Sequence, residues 1–173
     1  DVWWSFNKWK RLENKKIKLW IFTELFYPEE TSTSYILTKI ANRLSQKYNV
    51  EVVCGEPVYG KNEKTTYFSV DSSIKISRVK SFKGNKDNTL SRIFRFLTLS
   101  ISFFLKLIFS VKKNDKVFIV TNPAPFLVLV SLIKRFKKIE TTILVHDVFP
   151  ENTISGGFIS SKDSFFYKIL KTL

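Results

Sequence analysis

At 173 residues the chain is long enough to bury the core of one domain and short for two, and its 44% hydrophobic content excludes a disordered polymer. Its 29 Lys and Arg against 15 Asp and Glu leave a formal charge of +14, which brings forward anionic partners: membrane lipid, phosphorylated substrates or nucleic acid. No segment has the uninterrupted apolar run and small-residue cleavage site of a secretory signal, and the lone Cys54 cannot form an internal disulfide, so a reducing cytosolic compartment is expected. With no methionine, even at position 1, the chain is expected to lack its natural start.

Residues 1–16 mix Trp3, Trp4, Phe6 and Trp9 with basic residues, which suits either a membrane interface or a packed extension. A single domain is then expected over 17–173. Ile17 to Thr23 predicts a strand, and Glu24 to Thr33 a polar loop broken by Pro28. Ile36, Leu37, Ile40, Ala41 and Leu44 recur at helical spacing, predicting an amphipathic helix over 34–47 with Ser34 as its N-cap. Val50 to Cys54 is a second strand and completes a βαβ unit. Ile74 to Lys80 alternates as a half-exposed strand between basic and polar loops.

Leu90 to Val111 is long and apolar, interrupted by Arg92, Arg95 and Lys106, too many charges for a spanning helix. At helical spacing Arg95, Thr98, Ser102, Lys106 and Lys113 form one polar stripe, and no acidic residue offsets the basic ones, so a helix lying in a membrane interface is favoured over one buried on most sides. Val117 to Thr121 is a buried strand ending at Asn122-Pro123-Ala124-Pro125, with Pro125 suited to the first turn of a helix that runs to about Lys138. Thr141 to Val145 reads as a central strand covered on both faces and stops at His146 and Asp147; a last helix begins near Ser161.

Strands alternating with helices predict a Rossmann-like parallel sheet between helix layers, in which ligands bind beyond the carboxyl ends of the strands. Glu24, Glu29, Glu30, Glu56, Asn122, His146, Asp147 and Glu151 would collect at that edge. Carboxylates there suit hydroxyl recognition, because an ionised carboxylate is a pure acceptor. Phosphate-binding glycine loops, a nucleophile elbow and metal-type Cys/His clusters are missing from the sequence. Nucleic-acid binding is not expected, because the aromatics fall in apolar runs and not on a basic strand platform.

Three motifs in this order, F-Y-P-E-E-T-S-T-S-Y after the first strand, T-N-P-A-P at 121–125 and H-D-V-F-P-E-N at 146–152, resemble the N-terminal domain of bacterial family 4 glycosyltransferases of the type that builds capsular, colanic-acid-like or O-antigen polysaccharide. The resemblance covers about residues 15 to 173 and implies one half of a two-domain GT-B fold, the half that binds the acceptor, with the donor-binding domain absent. It implies an acceptor pocket shaped by Tyr27, Glu30, Thr31, Ser32, Thr33 and Ser34, with Asn122 and Glu151 at its edge, and His146 and Asp147 as the catalytic residues facing the transferred sugar. Pro150 and Glu151 would fix the loop after the central strand. It further implies retaining transfer from a nucleotide-sugar substrate, without a metal or other cofactor. The acceptor would be a lipid-linked saccharide, met at the anionic inner face of the plasma membrane. The sequence departs from many relatives at 31–34, where Thr31-Ser32-Thr33-Ser34 offers hydroxyls in place of a glycine pair. The alternative is a non-catalytic, acceptor-binding and membrane-anchoring subunit whose partner chain carries the donor site.

Overall fold

Five short runs rich in β-branched and aromatic residues pair, all parallel, in the order β3-β2-β1-β4-β5: β1 (Lys18–Thr23), β2 (Asn49–Cys54), β3 (Lys75–Arg78), β4 (Lys116–Val120) and β5 (Glu140–Leu144). This computed structural model describes residues 16–57, 67–82 and 89–146. Nearly all of the expected N-terminal extension, Asp147, Pro150, Glu151 and the expected last helix therefore lie outside the described residues. Among the described residues three helices connect the strands: α1 (Ser32–Ser45), α2 (Thr89–Ser110) and α3 (Ala124–Lys137). The result is a Rossmann-like α/β fold.

Strand alternation assigns the two cores. Leu19 and Ile21 of β1, with Val50, Val52 and Cys54 of β2, pack against Leu37 and Ala41 of α1. Trp20 and Phe22, with Val53, Val117 and Ile119, meet Leu99, Phe103 and Leu107 of α2 and Phe126 and Val130 of α3 on the opposite face. Phe22, Phe103 and Phe126 form a closed aromatic triangle with ring centroids 5.6, 5.1 and 5.3 Å apart. Cys54 is core: burial pushes its thiol up to about 11, with Arg78 pulling the other way and Glu29 adding to the rise.

The polar stripe of α2 faces inward, onto the sheet and the segment that follows β3. Lys106 reaches Glu51 in the sheet, Ser102 donates to the Lys80 carbonyl, Thr98 accepts from the Phe82 amide and Arg95 pairs with Glu24. Periodicity fixes which residues share a face; distant partners decide where the face points. Lys113 is not part of that stripe, since it lies beyond the end of α2 in an exposed turn.

Glu51 is 2% exposed and gathers Lys18 at 2.8 Å, Lys106 at 3.5 Å, Lys75 at 3.6 Å and the Ser77 hydroxyl at 2.7 Å. Burial pushes its carboxyl up, but hydrogen bonds from Lys18 and Ser77 and the charges of Lys18 and Lys106 outweigh it, so the pKa lies below the ordinary value. A depressed carboxylate pKa adds stability that is present above the unfolded-state value and is lost as pH falls through the folded one. Glu51→Ala should lower the unfolding free energy by about 2 kcal/mol near neutral pH, as for loss of hydrogen bonds to a charged group, and the deficit should shrink on acidification. Denaturant melts at two pH values check this, and a constant deficit would remove the charge from the explanation.

Two further expectations shift. Thr31, not Ser34, caps α1, its Oγ1 accepting from Ser34 N at 3.2 Å, because the helix starts at Ser32. β5 pairs only with β4 among the described residues, so it is an edge strand there and not the central one; Ile143 and Val145 are exposed.

Candidate functional site

The strand order reverses between β1 and β4, and the crevice beyond their carboxyl ends is where an open α/β sheet binds ligands. Glu24 leaves β1 and Asn122 leaves β4, and Asn122 Nδ2 donates to Glu24 Oε2 at 2.9 Å across this point. The other carboxylate oxygen of Glu24 accepts from Arg95 Nη2, reached from the first half of α2. Gly55 closes the β2 side: its amide donates to the Glu24 carbonyl at 3.2 Å, and a Cβ there would stand 3.2 Å from that same oxygen, so a side chain would press the two chain exits slightly apart. Glu24 is 8% exposed, so its paired carboxylate forms the floor of the crevice.

The loop after β1 then folds over this floor. Phe26 and Glu29 are buried, and the Glu29 amide donates to the Phe26 carbonyl at 3.2 Å. Arg78, at the end of β3, donates to the Tyr27 carbonyl at 2.6 Å and the Gly55 carbonyl at 3.1 Å, tying the loop to the sheet. The peptide bonds Tyr27-Pro28 and Asn122-Pro123 are both cis. Tyr27 and Tyr35 each meet Phe68 edge to face, at 5.8 and 5.4 Å, which joins the loop after β1 to α1.

His146 follows β5 and is exposed. Its amide donates to Thr121 Oγ1 at 3.1 Å, and its Nε2 lies 2.9 Å from Thr33 Oγ1, with donor and acceptor set by the ring tautomer. The sequence-predicted residues Thr33 and His146, 113 positions apart, are thus in direct contact above the reversal point. Asn122 stands at the floor with Glu24. Thr31 serves as helix cap, Glu30 is exposed on the loop, Ser32 is exposed at the first position of α1, and Ser34 is fully buried, with its hydroxyl unpartnered among the described residues. Asp147 and Glu151 are not among the residues described. The N-terminus of α1 opens at the same edge with its partial positive charge.

Arg95, and the use of Glu24 as its partner, are what sequence reasoning assigned elsewhere. The available signal was a basic residue on an inward-compatible helix stripe with no acid on its own helix to pair with. Chemically the arrangement offers an exposed imidazole beside a hydroxyl, over a buried carboxylate flanked by an amide and a guanidinium. This set suits hydroxyl-rich ligands, with the imidazole able to exchange a proton. Among the described residues no three His, Cys, Asp or Glu side chains gather in a way that could hold a metal ion.

No protein-family model matches the chain. The probable glycosyltransferase WbjE of Pseudomonas aeruginosa is 28% identical over 156 residues, which is 90% of this chain and 38% of that protein. The chain thus spans well under half the length of this relative. Together the similarity and the Rossmann-like sheet support a glycosyltransferase relationship.

Proposed function

We propose that this chain is the acceptor-side half of a GT-B glycosyltransferase of family 4 type, which moves a sugar from a nucleoside-diphosphate donor to a lipid-linked saccharide in the synthesis of a cell-surface polysaccharide. The observation that carries this reading is the Thr33–His146 contact over the Glu24–Asn122 bridge. It brings two of the three motifs behind the family resemblance to one point of the crevice, and Asn122 belongs to the third. Similarity to a probable glycosyltransferase supports the same reading and gives none to the non-catalytic alternative.

In the proposed reaction the bond between the anomeric carbon and the donor diphosphate breaks, the acceptor oxygen bonds to that carbon, and the acceptor proton passes to the departing diphosphate oxygen. His146 exchanges its hydrogen bond with Thr33 for one to a hydroxyl of the transferred sugar near the reacting carbon, and Asp147 orients the imidazole or binds hydroxyls. Thr33 and Tyr27 shape the acceptor side. Glu24, held by Arg95 and Asn122, keeps the floor rigid. Positioning of the two substrates supplies most of the rate effect. Transfer proceeds with retention and without a metal, with the donor nucleotide held by a second domain.

The test is transfer by the intact protein, offered a panel of UDP- and GDP-sugars together with a membrane extract. Formation of a lipid-extractable, sugar-labelled product is the expected result. No turnover with any donor, from protein shown to be folded, would remove the reading.

A further inference from the structure

The outer side of α2 carries an apolar stripe from Leu90 to Phe109. Leu90, Phe94, Leu97, Ile101, Leu105 and Phe109 recur three or four residues apart and are all exposed, Phe109 at 82%. At 1.5 Å per residue the stripe runs for roughly 30 Å. Val128, Leu132 and Phe136 make a matching row on α3, with Phe136 at 84%. Lys137 joins the helices: its Nζ donates to the carbonyls of Leu107 and Val111, at 3.3 and 2.8 Å, and to that of Ile108, capping the end of α2 from the end of α3. The two rows therefore share one rigid plate.

This is the inverse of an ordinary surface helix, which buries its apolar side and turns its polar side to water. Here α2 is apolar both toward the sheet and away from it, and Arg95, Ser102 and Lys106 are used as inward anchors. An exposed apolar surface of this extent marks a docking site. Ile93–Ser110 is long and apolar enough to cross a membrane, but Arg95 bound to Glu24 and Lys106 bound to Glu51 hold it flat on the sheet.

Charge selects the occupant. Neither helix contains an acidic residue, and exposed Lys112, Lys113, Lys134 and Lys138 cluster where both helices end, beside Phe109 and Phe136. A second copy of the chain would bring an identical basic rim against this one, which disfavours self-association through the face. An anionic phospholipid surface meets both requirements, taking the apolar rows into the headgroup boundary and the lysines onto its phosphates.

We infer that the outward face of α2 and α3 is the membrane-docking surface of this protein, lying along an anionic bilayer with Phe109 and Phe136 inserted and the terminal lysines on lipid phosphate. The surface is argued from the helices alone, and its test needs no sugar donor, so its failure and that of the transferase reading are separable. Docked this way, α2 lies along the lipid from the end of the sheet that carries Phe109 to the crevice edge, where Arg95 holds Glu24.

The experiment is flotation of the intact protein with vesicles of phosphatidylcholine, alone or with about 30 mol% phosphatidylglycerol, a typical anionic charge. Partitioning at least ~10-fold stronger onto the anionic vesicles is expected, falling ~10-fold for Phe109→Ser combined with Phe136→Ser and for Lys134→Glu combined with Lys138→Glu. The lysine pair leaves the packed cores untouched and keeps the test meaningful if the phenylalanine pair does not fold. Phe109→Cys carrying an environment-sensitive dye gives a direct reading, because Cys54 is buried and resists labelling. Its emission should shift on adding anionic vesicles, and the same dye on Lys39→Cys, on α1 across the sheet, should not respond. Absence of partitioning would overturn the inference, as would variants that bind like the parent. A dye at 109 already shielded without lipid would overturn it too, assigning the face to a second copy or to another segment of the protein.

Discussion

His146→Ala should lower sugar transfer to the lipid-extractable product by ~100-fold, about 2.7 kcal/mol of transition-state stabilisation. The size follows from what the imidazole does in the proposed site. It is exposed, fixed through its backbone amide to Thr121, and aimed by a 2.9 Å contact at Thr33, so its loss removes a positioned hydrogen-bonding group without opening a hole in a core. General acid–base or hydroxyl-orienting groups of this kind typically contribute 10²–10⁴-fold. Thr33→Val should cost less, roughly tenfold, because it removes the partner that aims the ring and leaves the ring in place. The drop should appear in kcat more than in KM if the contact strengthens in the transition state. Full activity in His146→Ala would make the edge of β5 structural and move the chemistry elsewhere.

Phe103→Ala should destabilise the fold by about 3–5 kcal/mol, the range for truncating a buried aromatic. Phe103 is 0% exposed and stands at a corner of the Phe22–Phe103–Phe126 triangle, so it joins α2 to β1 and α3 at once. Its removal loses the transfer free energy of the ring, leaves a cavity between three elements and breaks two edge-to-face contacts. Phe109→Ala on the same helix removes an equal ring from an exposed position and should change stability by less than ~0.5 kcal/mol. Denaturant melts of the pair check both. Equal losses would mean that the outward face of α2 is covered in the folded protein.

The layered architecture was readable because the runs at 18–23, 49–54 and 116–120 are short, apolar on both faces and separated by helical spacing. Their boundaries fell within two residues, apart from the α1 cap. There, two hydroxyl residues three apart, Thr31 and Ser34, competed for one role, and the helix start decided it. The orientation of α2 could not be read. Arg95, Thr98, Ser102 and Lys106 announce a shared face, but the acid that holds Arg95 lies 71 positions away and the carbonyl that takes Ser102 lies 22 away. Long-range pairing carries no periodic signal. At the site, His146 stood out as the chain's one histidine at a strand end, and its contact with Thr33 joins two segments singled out separately. The Glu24–Asn122 bridge was visible only as two polar residues after two strands, since strand order, which makes β1 and β4 neighbours, is a property of the sheet.

Photolabelling addresses the location of the sugar site without relying on loss of function. The intact protein would be irradiated with a nucleotide-sugar whose sugar carries a diazirine, then digested and sequenced by mass spectrometry. Label on peptides containing Glu24 to Thr33, Asn122 or His146, and suppressed by unmodified donor, is the predicted outcome. Competable label confined to the opposite edge of the sheet, around Asp115 and Lys116, would contradict the assignment of the crevice at the β1–β4 reversal.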